Sequence, residues 1–157
     1  MLRARVLLIA MTATLASCAQ NQPHKPADNG KATAAAPAAR VNPLLTRSPL
    51  QYQAPPFDKI TDADYEPAIE QGMKEQIVEI EQIANNADAP TFANTIEAME
   101  RSGATFTRAS KVFAAIAQAN TNDTLQKVQE DLAPKIAEHQ DAISLNPKLF
   151  ARVQAVY

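Results

Sequence analysis

The 157-residue sequence has no tryptophan, one cysteine, two histidines and three glycines. A lone cysteine excludes a disulfide framework, and two histidines at positions 24 and 139 leave too few donors for a Cys/His metal site. Large apolar side chains are also scarce. The hydrophobic fraction is 46%, but 31 of those residues are alanine, and only 41 larger side chains remain. That suffices for a modest core and not for a large self-sufficient enzyme. A basic excess is missing from the body of the chain. Residues 1–41 carry five Lys/Arg and one Asp, whereas residues 42–157 carry ten against sixteen acids, a net of −6. An acidic folded part excludes nucleic acid as a partner, because that needs a basic face.

No apolar run is long enough to cross a bilayer as a helix. The longest, residues 6–15 (VLLIAMTATL), follows Arg3 and Arg5 and has the length of a signal-peptide core. It ends in Leu15-Ala16-Ser17-Cys18, which resembles the bacterial lipobox. That resemblance implies cleavage before Cys18, acylation of its thiol and a membrane as partner through the lipid anchor. The expected domains are a lipoprotein signal peptide at 1–17, the lipidated Cys18 with a disordered tether at 18–41, and a helical region at 42–157. An ordinary secretory signal with an incidental cysteine is the alternative. Ala19, in place of an inner-membrane-retaining aspartate, points to an outer-membrane anchor facing the periplasm. Residues 19–41 mix Ala, Pro, Asn, Gln and Lys with almost no large apolar side chain, so burial cannot offset their ordering entropy. Such a tether spans about 25–30 Å.

From residue 42 the pattern predicts an all-α fold, about five amphipathic helices after a Pro-rich extended segment. Prolines 43, 49, 55 and 56 make residues 42–60 irregular, laid on a surface by Leu44, Leu45, Leu50, Tyr52 and Phe57. Tyr65, Ile69, Met73, Ile77, Ile80 and Ala84 then fall on one helical face, with Asp62 or Asp64 as cap. A second helix starts at Thr91 with Phe92, Ile96 and Met99 inward, and Gly103 ends or bends it. The third buries Phe106, Ala109, Phe113, Ile116 and Ala117. The fourth, from about Asp123 to Ile143, buries Leu125, Val128, Leu132 and Ile136 and should kink at Pro134. Asn146 caps a fifth, carrying Leu149, Phe150, Val153 and Val156. Its apolar pattern runs to Tyr157 without a stop signal, so a larger protein is expected.

Catalytic chemistry has few carriers. A helical zinc protease site needs two histidines four apart with a glutamate beside the first, on one face. His139 follows Glu138, but position 143 is isoleucine, and Asp141 points elsewhere. His139 is therefore read as an imidazole bonded to a neighbour. No serine sits in a nucleophile elbow. Glu66, Glu70, Glu75 and Glu81 could be imagined as the paired carboxylates of glycoside hydrolysis, but a solvated charged face accounts for them. No residue is assigned a catalytic or metal-binding role; Cys18 is assigned lipidation.

Residues 42–60 (NPLLTRSPLQYQAPPFDKI), 62–73 (DADYEPAIEQGM), 84–103 (ANNADAPTFANTIEAMERSG), 119–123 (ANTND) and 133–157 (APKIAEHQDAISLNPKLFARVQAVY) resemble the N-terminal region of bacterial peptidyl-dipeptidases. These dipeptidyl carboxypeptidases belong to the thimet-oligopeptidase-like zinc metallopeptidases. Ala93 and Ser144 depart from the family pattern, which has glutamate and tyrosine there. The resemblance implies a helical clamshell around a deep channel. It also implies zinc held by a His-Glu-x-x-His motif and a downstream glutamate, and release of C-terminal dipeptides from short peptides. That motif is absent from this sequence, so no zinc cofactor is assigned to the chain itself.

Two readings follow. In one, the chain is the N-terminal part of an exported, lipid-anchored peptidyl-dipeptidase, inactive alone, and the rest of the peptidase is a partner. It predicts an exposed apolar side on the last helices. In the other, a free-standing helical lipoprotein binds peptides or a partner and has a closed core.

Overall fold

A computed structural model describes residues 40–157. The signal peptide, Cys18, His24 and nearly all of the expected tether lie outside the described residues. Five helical stretches follow an irregular segment: α1 (Tyr65–Ala84), a π-helical turn (Phe92–Glu97) continuing as α2 (Ala98–Arg101), α3 (Ala104–Ala119), α4 (Asp123–Ser144) and α5 (Pro147–Val156). There is no strand among the described residues, so the fold is all-α.

The central element is α1, against which α3, α4, α5 and the turn Pro43–Leu45 all pack. Two apolar clusters are strung along it. One joins Leu44, Tyr65, Ile69 and Met73 to Phe113, Leu125 and Leu132 from α3 and α4. The other joins Ile80, Ile83 and Ala84 to Leu149 of α5. Each such aliphatic side chain stabilises by about 1.5–3 kcal/mol when fully buried. The axes of α1 and α3 come close because residue 72 is glycine. A Cβ there would lie 2.4 Å from the Phe106 backbone nitrogen.

Local chemistry sets the ends. Before α1, Thr61 caps a 3₁₀ turn (Asp62–Asp64), and its N–H and hydroxyl donate to Asp64 Oδ2 at 2.7 and 2.8 Å. Asp64 stands at the N-cap position of α1, as expected, but its carboxylate reaches back to Thr61, which caps the preceding turn. Thr91, Asn122 and Asn146 cap the later stretches as their residue types suggest. Gly103 adopts φ 70° between α2 and α3, in the left-handed region that glycine enters without a Cβ penalty.

Two expectations are corrected. Of the five side chains expected to lay the irregular segment down, only Leu44 is buried, at 2% exposed, with Ile60 packed beside it; Leu45, Leu50, Tyr52 and Phe57 face outward. Phe92 and Phe150 are also exposed, and their places inside go to Thr95 and Arg152. The π-helical turn explains the first exchange, because its wider turn shifts the inward position from 92 to 95. Pro134 lies inside α4, which is one continuous helical stretch from Asp123 to Ser144. Pro134 and Glu130 are both exposed, so water can satisfy the carbonyl that loses its partner. Ala93 and Ser144 lie on the surface, where departures from a family pattern disturb no packing.

Candidate functional site

Between α1 and α4 runs an open groove of about 560 Å³, lined by Met73, Ile77 and Ala142 and by the polar Glu70, Lys74, Lys135, Glu138 and His139. At one end Lys135 bridges the helices. Its Nζ donates to Glu66 Oε1 at 2.9 Å and Glu70 Oε1 at 2.5 Å. Glu66 and Glu70 stand one turn apart on α1, so a single ammonium reaches both. Hydrogen bonds to Glu70 and then Glu66 push the Lys135 pKa up, which keeps it a cation and unavailable as a base. Two of the acids read as a solvated face thus tie α1 to α4. Glu75 is held low by hydrogen bonds from Gln71 and Thr105, and Glu81 is exposed.

At mid-groove, His139 Nε2 lies 2.8 Å from Gln76 Oε1, and its ring meets Phe106 edge-on at 5.1 Å. The Ser102 hydroxyl donates to the Met99 carbonyl at 2.8 Å and accepts from Gln76 Nε2 at 3.4 Å. That order of donors turns Gln76 Oε1 toward the histidine and places the imidazole proton on Nε2. Burial pushes the His139 pKa below 6.5, so the ring is neutral at pH 7. The neighbour-bonded reading of His139 holds, but the ring is buried at 6% exposure where a partly buried or surface imidazole was expected. Gln76 was missed, although it lies three residues from Met73 and four from Ile80, on the apolar stripe itself.

A second polar seam holds α5. Arg152 is 7% exposed; its Nη1 donates to the carbonyls of Asn86 (2.7 Å) and Asp88 (3.1 Å), and Nη2 donates to Asn94 Oδ1 (3.0 Å). No carboxylate among the described residues pairs with it. Its position three residues after Leu149 marks it as inward-facing in the sequence. At the first described residue, Arg40 donates to the Lys59 carbonyl, to Thr61 and to Asp64, so ordered contacts are present within the expected tether. Burial acts to raise the Asp64 pKa, but the hydrogen bonds from Arg40 and Thr61 outweigh it and hold the carboxyl below 3.8.

Beyond these seams, Phe92, Ile96, Val156 and Tyr157 line an apolar hollow of about 230 Å³ where the π-helical turn meets α5. Phe92 is 65%, Phe150 64% and Tyr157 fully exposed.

The zinc implied by the family resemblance has no fitting donor set here. No three His, Cys, Asp or Glu side chains converge among the described residues. His139 has its Nε2 engaged by Gln76. No helix among the described residues is long and apolar enough to cross a membrane.

What the described residues build is an all-α scaffold, held by polar seams between apolar clusters. Over 117 residues the chain is 48% identical to the dipeptidyl carboxypeptidase of Salmonella typhimurium (strain LT2), covering 74% of this chain and 17% of that protein. It is 46% identical over 117 residues to the dipeptidyl carboxypeptidase of Escherichia coli K12, with the same coverage. The matched stretch corresponds to a segment of a dipeptidyl carboxypeptidase. The chain spans about a sixth of the length of these relatives. No protein-family model matches the chain.

Proposed function

We propose that the chain serves as the N-terminal wall segment of an exported, lipid-anchored peptidyl-dipeptidase, with residues 42–157 forming the helical region. The observation that carries this reading is the 48% identity over a stretch making up 17% of a dipeptidyl carboxypeptidase. In it, zinc and the residues that cleave short peptides belong to the remainder of the peptidase, which is the segment's partner. The segment supplies packing surface and inert polar seams. The exposed Phe92 and Phe150 support this, since an apolar side is left where a larger body would seat. Cys18 is the lipidated residue, residues 18–41 tether the segment to the outer membrane, and the body faces the periplasm.

The test is zinc content and hydrolysis of a blocked tetrapeptide by the purified 157-residue chain. Neither is expected. Stoichiometric zinc with dipeptide release would place the active site in this chain and overturn the proposal.

A further inference from the structure

The Pro-rich segment is built to be covered. Leu44 anchors it, yet Leu50 is 49%, Tyr52 93% and Phe57 52% exposed. Tyr52 and Gln53 have φ of 55° and 59°, two consecutive left-handed residues of which neither is glycine. Such a conformation persists only where its surroundings hold it. Here two local hydrogen bonds do so. The Ser48 hydroxyl donates to the Ala54 carbonyl at 2.6 Å, and the Gln53 N–H donates to the Leu50 carbonyl at 2.9 Å. The result thrusts Tyr52 outward beside a cleft of about 220 Å³ lined by Pro43, Pro49, Leu50 and Pro56. Nothing among the described residues gains from that placement.

We propose that residues 48–57 form a rigid docking arm, with Tyr52 and Phe57 as anchors, that seats on the remaining body of the dipeptidyl carboxypeptidase. This rests on the function proposed above and adds a contact surface separate from the apolar hollow beside α5. Three observations favour that occupant. The relatives hold more than four-fifths of their length outside the matched stretch, so a large body has to contact it. Residues 19–39 of this chain are nearly devoid of large apolar side chains and cannot fill the cleft. Charge supplies the third. Residues 40–59 carry three basic groups and one acid, whereas residues 60–157 carry eight basic and fifteen acidic. Arg47 and Lys59 are exposed, with no ion pair among the described residues. The fitting surface is an apolar pocket with an acidic rim. Aromatic anchors that fill such pockets dominate interface energetics, and prolines lower the ordering cost.

The experiment uses a hybrid in which the matched stretch of the Salmonella typhimurium enzyme is replaced by its counterpart from this chain. Tyr52→Ser and Phe57→Ser are introduced together into the hybrid and into the 157-residue chain. The expected result is a thermal midpoint lowered by several degrees in the hybrid and unchanged in the chain. An active hybrid indifferent to both substitutions overturns the arm alone. An equal loss in hybrid and chain makes the two residues internal supports and also overturns it. So do loss of chain binding to phosphatidylglycerol vesicles, or conversion of a chain dimer to monomer, since the occupant is then a bilayer or a second copy. A folded but inactive unsubstituted hybrid removes the proposed function, and the arm with it.

Discussion

His139 on α4 and Gln76 on α1, 63 residues apart in sequence, meet at 2.8 Å between the two apolar clusters of the scaffold. The Nε2–H donates to Oε1 whether or not Nδ1 is protonated, so it is burial, and not this bond, that favours the neutral ring. The folded-state pKa is below 6.5, so the unfolded chain binds more protons between the two values. This contribution is full above about pH 6.5 and is lost as pH falls through the lower folded value. Urea midpoints at pH 7.5 and 5.5 should therefore show a decline for the natural chain and a smaller one for His139→Gln. The Asp64 contribution behaves separately. Its lowered pKa makes it present above pH 3.8 and lost only in stronger acid.

Gly72 is a packing requirement. A Cβ at 2.4 Å from the Phe106 nitrogen and 2.6 Å from its Cα meets backbone, which cannot swing aside. Gly72→Ala should force α1 and α3 apart at a cost of about 2–3 kcal/mol, read as a lowered urea midpoint. Gly103→Ala should cost about 1–2 kcal/mol, from its positive φ and the Gln76 side chain it would crowd.

Arg152 holds α5 by three hydrogen bonds to neutral acceptors from the connection after α1 and the π-helical turn. Arg152→Leu removes three hydrogen bonds made by a buried guanidinium and should cost about 1.5–3 kcal/mol. Arg152→Lys should recover little, because a point-like ammonium cannot reach acceptors arranged for a planar fork. Amide exchange at residues 86–95 should rise in both variants.

These residues also show what could be read from the sequence. The helices and most caps were legible because apolar spacing and Asn or Thr at the starts are local signals. The inward place of Arg152 was legible in principle, from its register with Leu149. The surface position of Phe92 was not. It depends on a π-helical turn, a change in pitch that no 3.6-residue pattern encodes. The Lys135 bridge to Glu66 and Glu70 was equally hidden, since pairing across 65 or more residues follows from tertiary packing.

Acylation of Cys18 is tested by metabolic labelling with a fatty-acid donor. The proposed anchor predicts a labelled, membrane-sedimenting natural chain and an unlabelled Cys18→Ala variant. Label undiminished in that variant would remove the anchor and leave the scaffold untouched.

The central claim is that this chain is a working segment of a dipeptidyl carboxypeptidase. Dipeptide release by the unsubstituted hybrid with the Salmonella typhimurium enzyme measures it most directly. A kcat/KM within about tenfold of the parent enzyme is predicted, a difference of no more than about 1.4 kcal/mol in transition-state stabilisation. A folded hybrid that releases no dipeptide would contradict it.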